Sequence, residues 1–192
     1  LADHFTAAEI ARLQQRLLRD DAFLPGVRNE DPADLAHKGR VSASGETARG
    51  GAAQVIDGFT REFFSSLGPW ADGAAHRWES VTLPAWIELR WPTPQLLNEV
   101  HLTFDSGFER ELTLSASDST TRTIIRGPQP ELVRDYELLL DDQPVIRIED
   151  NLLRKRVHRL AHSVRASRLR LLVRATHGVP QARVFEIRAY ET

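Results

Sequence analysis

Seven histidines are spread along the 192 residues: His4, His37, His76, His101, His158, His162 and His177. His158 and His162 stand four apart, the spacing at which two imidazoles share a helix face and can ligate zinc. That reading needs a helix, and KRVHRLAHSVRAS reads as the end of a strand and a turn. There is no H-E-x-x-H motif and no G-x-S-x-G nucleophile elbow. The chain has no cysteine, hence no thiolate nucleophile, no Cys-ligated zinc and no disulfide framework. Catalysis by this chain is not expected. One carboxylate stands out by position. In AAQVIDGFTREFFSSLGPW (52–70) an apolar segment, read as a strand, runs into Asp57-Gly58, and a long polar loop follows to Trp70. Asp57 either caps its own turn or holds something.

The elements around that loop follow from periodicity. Thr6 and Glu9 have capping-box spacing, and Ile10, Leu13, Leu17 and Leu18 continue as one apolar helical stripe. A second short helix is expected from Asp31, with Pro32 at its first position. Residues 1–38 thus read as a helical lead-in. From residue 39 the texture changes to short alternating segments between Gly, Pro, Asp and Ser clusters: PAWIELRW, EVHLTFDS, RELTLSAS, RDYELLL, PVIRIED, RASRLRLLVRA and ARVFEIRAYE. Alternation sets Val100, Leu102 and Phe104 against His101 and Thr103. It sets Leu169, Leu171 and Val173 against Arg168, Arg170 and Arg174, and places Leu112, Leu114 and Ala116 inward. At the end of the chain it groups Phe185, Ile187 and Ala189 on one face, with Glu186 on the other. Period-2 alternation broken by frequent turn signals predicts a mainly β fold, an antiparallel sandwich or barrel, over 39–192.

Composition limits the function classes. Hydrophobic residues are 41% and charged residues 27%, ordinary for a globular domain, and the net charge of −2 argues against bulk attraction to nucleic acid or an anionic membrane. Residues 131–150 carry seven acidic side chains, and residues 152–174 carry eight basic and no acidic ones. Pairing between neighbouring strands explains that asymmetry better than a polyanion surface, since the basic run has no interleaved aromatics for base stacking. The chain has no methionine and begins at Leu1, so it is expected to be an excised or processed piece of a longer protein.

A family resemblance rests on the order of several motifs: Val55-Ile56-Asp57-Gly58, then Trp78-Glu79-Ser80, then Trp86-Ile87-Glu88-Leu89, NEVHLTFD at 98–105 and ARVFEIRAY at 182–190. In that order they resemble discoidin-like domains, the coagulation factor 5/8 type C, galactose-binding-like jelly rolls. The helical lead-in and the ending LRLLVRATHGVPQARVFEIRAYE further resemble the C-terminal accessory region of bacterial FAD-dependent oxidoreductases. The resemblance implies an antiparallel β-sandwich without catalysis of its own. It places an FAD-binding module upstream, outside this chain, and no G-x-G-x-x-G fingerprint stands here.

The same resemblance implies two sites. A structural Ca²⁺, which wants six to eight oxygens, maps onto Asp57 and Glu186 together with loop carbonyls. A glycan site maps onto the loop residues Trp70, His76 and Arg77, with an aromatic platform and two donors to hydroxyls. Trp78 and Trp86 are expected in the core. The leading expectation is therefore an accessory domain that docks against its catalytic partner domain or binds a glycan. The alternative is a free-standing carbohydrate-binding module of a glycan-active enzyme. A nucleic-acid or membrane partner is not expected, and the compartment is left open.

Overall fold

The computed structural model describes Thr6, Ala8, Glu9, Arg12, residues 28–62, 74–107, Arg110 and residues 117–191. Ile10, Leu13, Leu17, Leu18, Trp70, Leu112, Leu114 and Ala116 lie outside the described residues. Among the described residues seven strands run in the order β1 (Arg40–Ala43), β2 (Trp78–Glu79), β3 (Ala85–Phe104), β4 (Val133–Leu140), β5 (Gln143–Ile148), β6 (Lys155–Thr176) and β7 (Arg183–Tyr190). A short helix α1 (Asp118–Thr123) lies between β3 and β4, with Ser117 as its N-cap. Every strand pairing is antiparallel, in the order β2-β7-β3-β6-β4-β5, with β1 also on β3. Among the described residues no helix is long and apolar enough to cross a membrane.

The two long strands determine the architecture. β3 has 20 residues and β6 has 22, and they pair along their length except at two breaks, between Arg90 and Gln95 and between Leu97 and Glu99. The first break contains Pro92 and Pro94, which have no N–H to give a ladder. The second leaves residues 160–163 of β6 looped out of register. Before the breaks β3 is flanked by β1 and β6; after them it is flanked by β6 and β7. The ribbon therefore changes neighbours within one continuously hydrogen-bonded sheet, as strands do where a sheet folds over into the two layers of a sandwich.

That bend returns both ends of the ribbon to one end of the domain. Backbone bonds tie the loops there: Phe104 N–H to Arg154 O (2.8 Å), Asp105 N–H to Arg183 O (3.2 Å), Ser80 N–H to Ala182 O (3.0 Å) and His177 N–H to Leu132 O (3.0 Å). We refer to it as the loop end. His177 also bonds Asn151 O through Nε2 (2.8 Å), so the histidine of the Ala175–Pro180 loop is a satisfied structural one.

The core follows the expected alternation over most strands. Val100, Leu102 and Phe104 of β3 and Leu169, Leu171 and Val173 of β6 are buried, beside Tyr136 and Leu138 of β4. Each fully buried Leu, Ile, Val or Phe contributes roughly 1.5–3 kcal/mol. On β7 the expectation needs correction. Thr103 faces Glu186 but Phe104 faces Val184, so Phe185 is an inserted bulge residue. The bulge resets the parity: Val184, Ile187 and Ala189 enter the core cluster and Phe185 does not.

Two further segments differ from the sequence reading. Ala52–Ile56 is a 3-10 helix rather than a strand, because Ala52 and Val55, three apart, are the buried pair. Among the tryptophans, Trp78 is fully buried with Nε1 donating to Gly45 O (2.9 Å), but Trp86 is only half-buried, its ring 4.8 Å under the Arg170 guanidinium. Trp91 takes the core position instead and donates to Leu35 O (2.7 Å).

In the lead-in, Thr6 and Glu9 make both bonds of the capping box, at 2.8 and 3.3 Å. The second helix begins later than expected. Pro32-Ala33 is a turn, and Asp34 caps the 3-10 helix Leu35–Lys38 by accepting from Ala36 N–H (2.9 Å). Asp34 also accepts from Ala189 N–H (3.0 Å), and Ala36 belongs to the core cluster. Residues 28–38 are thereby packed on β7.

Candidate functional site

The Asp57 turn sits at the loop end. Gly58 has φ +88°, and a Cβ there would come within 2.7 Å of Asn29 O, so only glycine fits. Asp57 Oδ1 accepts from Phe59 N–H (2.9 Å), which is the turn-capping role, and Oδ2 accepts from His76 Nδ1 (2.7 Å). The neighbouring residue extends this clamp: Arg77 N–H bonds Gln54 Oε1 (3.0 Å), and its Nη1 bonds Glu62 Oε2 (2.9 Å). Glu62 and Arg77, on either side of residues 63–73 in the sequence, are thus joined by a charged bond.

Beyond the clamp lies a balanced charge cluster. The Phe185 ring lies between two guanidiniums, Arg77 at 5.7 Å and Arg154 at 5.6 Å from its centroid. Arg77 and Arg183 both approach Glu79 (3.4 and 3.5 Å) and Asp105 (3.8 and 3.7 Å). Arg154 donates to Thr60 O. Arg110 grips Glu131 with both Nη atoms (2.5 and 2.7 Å), which holds that carboxyl below the usual carboxylate range. Each of these carboxylates has a cationic partner, so the cluster is built for rigidity rather than for proton transfer.

A second polar layer lies on the side of β3 and β7 away from the core. Register places Glu99 opposite Tyr190, His101 opposite Arg188 and Thr103 opposite Glu186. Glu186 pairs with Arg188 at 2.7 Å, and His101 Nε2 bonds Glu99 Oε1 at 2.7 Å. Burial lowers the His101 pKa, against the opposing pull of Glu99. Burial draws Glu99 upward, but its bonds from Arg159 and His101 outweigh this and hold it low. Deeper in, His158 Nε2 accepts from the Tyr136 hydroxyl (2.8 Å); burial pushes His158 down to about 4 and Tyr136 up to about 12.

The structure thus brings Asp57 and His76 together and places Arg77 beside them. His76 and Arg77 are buried, and their described bonds run to protein carboxylates and a glutamine. Glu186 lies in the β7 layer, held by Arg188. Among the described residues no group of three or more His, Asp or Glu side chains is arranged to hold a metal ion. His158 and His162 lie on a strand, one buried on Tyr136 and the other exposed, so their spacing of four does not make a zinc pair. Sequence reasoning missed Phe185, Arg154, Asp105 and Glu62. No local signal marks them, since Arg154 reaches Thr60 across 94 residues.

Comparison with known proteins places the architecture. No family model and no curated protein matches the sequence. Solved structures do. The Clostridium perfringens module CpGH89CBM32-5, in complex with GalNAc-β-1,3-galactose, superposes with TM-score 0.57 at 14% identity, over 82% of this chain and 99% of that one. The family 32 carbohydrate-binding module of Streptococcus pneumoniae EndoD gives 0.58 at 14% identity, over 83% and 99%. The family 32 module of C. perfringens NanJ, in complex with galactose, gives 0.56 at 15% identity, over 83% and 98%. The fold is a discoidin-like β-sandwich. It spans nearly the whole of each of these modules, at identities where only the fold is shared.

Proposed function

We propose that this chain is a carbohydrate-binding module that takes a glycan at its loop end. The observation that carries the reading is the near-complete superposition on modules solved with galactose and with GalNAc-β-1,3-galactose. Chemistry of the loop end agrees with it. Asp57 with His76 and Glu62 with Arg77 fasten the residues on either side of 63–73, and the sequence reading assigns Trp70, within that stretch, as the aromatic platform for a sugar ring. In this reading His76 and Arg77 act chiefly as positioning residues, because both are buried and engaged. Glycan-array screening followed by calorimetry with the best galactose-containing hit tests it. Saturable binding is expected, and Trp70→Ala should weaken it roughly tenfold or more without lowering Tm. Silence across the array would overturn the reading.

A second reading keeps the chain as an accessory domain beside the catalytic part of an FAD-dependent oxidoreductase. The exposed Leu152, Leu153 and Val157 favour it as a docking face. Val157→Asp, on β6 rather than in the loops, separates the two: it should leave glycan affinity unchanged and weaken only association with a catalytic domain.

A further inference from the structure

The Asp57–Thr60 turn offers a dense set of oxygen acceptors at the junction of three chain segments. Asp57 O accepts from Arg28 Nε (2.7 Å), and Gly58 O accepts from Asn29 N–H (2.7 Å). Both Asp57 carboxylate oxygens are engaged, by Phe59 N–H and by His76 Nδ1. Thr60 O accepts from the Arg154 guanidinium. On β7, Glu186, the second carboxylate that the family resemblance assigns to a Ca²⁺ site, is paired with the fully buried Arg188. A divalent cation of the calcium type needs six or more oxygens converging on one point. Here the oxygens converge on protein donors, and three of those donors are guanidiniums.

We propose that protein cations hold this turn in place of a metal ion, with Arg28 and Arg154 as its cross-braces and Arg188 neutralising Glu186. The arrangement has a clear physical basis. A guanidinium donates in fixed directions and stays charged at any accessible pH, so it can satisfy carbonyls and carboxylates where a bound ion otherwise would. It also links segments. Arg28 ties the lead-in to the turn, and Arg154 ties the start of β6 to it, with Phe185 packed under the same guanidinium. A Ca²⁺ entering this place would have to displace both arginines and would meet their charge. The turn is then rigid whatever the calcium level, and this inference does not depend on the glycan reading.

The test uses the whole chain. Tm is measured by calorimetry in excess EDTA and in millimolar CaCl₂, alongside a calorimetric titration of EDTA-treated, dialysed protein with CaCl₂. No Tm shift and no saturable heat are expected; a drop in Tm on chelation, or stoichiometric Ca²⁺ binding, would overturn the proposal. The arginines are tested by amide hydrogen exchange of residues 57–62 in Arg154→Met and Arg28→Met. Loss of one charged bond should speed exchange there roughly 10–100-fold while the β3 core amides stay as slow as before. Unchanged exchange in both variants would also overturn it. Should Arg154→Met fail to fold, Arg154→Lys, which keeps the charge but not the planar fork, takes its place with the same readout.

Discussion

Strands β6 and β7 both alternate charged with apolar residues, and the charges end in opposite surroundings. On β6, the Arg174 side chain is 50% exposed and bonds Glu137 of the neighbouring strand (3.0 Å). Arg168 and Arg170 reach Asp142 in the β4–β5 turn, and Arg170 reaches Glu88 of β3 (2.6 Å). On β7, Glu186 and Arg188 are 2% and 0% exposed. The difference is the lead-in segment. Residues 28–38 pack against β7 through Asp34 and Ala189, while the arginines of β6 stay at least partly exposed. Water screens the outermost of these pairs, Arg174 with Glu137, most strongly, while Glu88 under Arg170 is itself buried. Without that screening, a β7 pair matters mainly through what is left behind when one partner is removed.

The widest gap between the two strands should come from Arg188→Met. It leaves Glu186 buried without its cation, and a loss of about 3–5 kcal/mol is expected in urea unfolding. The double variant Arg188→Met with Glu186→Gln should recover a large part of that loss, since the uncompensated charge is gone. A single-variant cost below about 1 kcal/mol would show that the β7 layer behaves like the β6 surface.

A pH titration sharpens the comparison within β6. His158, near its start, is buried against Tyr136, and its pKa falls from 6.5 to about 4. A base depressed in the folded state leaves the unfolded chain to take up the proton first. Its stabilising effect is complete above pH 6.5 and is lost as pH falls from there towards 4. Glu99, whose carboxyl is held low, adds a loss of the same sign at pH below its ordinary 4.5. Urea midpoints should therefore fall steadily from pH 7 to pH 4, and the slope between 6.5 and 4.5 should flatten in His158→Gln. A flat wild-type profile over that window would mean that His158 titrates as a solvated imidazole.

How much of this was legible in the sequence depends on the range of the interaction. EVHLTFDS shows its core side plainly, and Val100, Leu102 and Phe104 are buried as alternation demands. It also shows His101 and Thr103 on the other side, but not that this side is buried, because its neighbours Glu186, Arg188 and Tyr190 come from the far end of the chain. The bulge at Phe185 is invisible for a related reason: an inserted residue exists only relative to a partner strand. Ala52–Ile56 misled because a five-residue apolar segment fits a strand or a 3-10 turn equally well, and the burial of Ala52 and Val55 chooses between them. Asp57-Gly58 was readable as a turn, since only the positive φ of glycine allows it. The guanidiniums of Arg28 and Arg154 that brace it arrive from 29 and 94 residues away, beyond any local pattern.

The smallest expected effect belongs to Arg174→Ala. Its partner Glu137 has its carboxyl held low first by the Arg174 hydrogen bond. Arg147 also approaches Glu137, at 3.9 Å, so a cation remains nearby when Arg174 is removed. Half of the Arg174 side chain lies in water, and Glu137, though largely buried, keeps Arg147 beside it. Only a slight fall in the urea midpoint is expected, shrinking further in molar salt as the Debye length falls to about 3 Å. A double-mutant cycle with Glu137→Gln isolates the pair itself from any effect of trimming the arginine stem. A coupling as strong as that of a buried pair would mean that the outer face of β6 is covered in solution by something that excludes water.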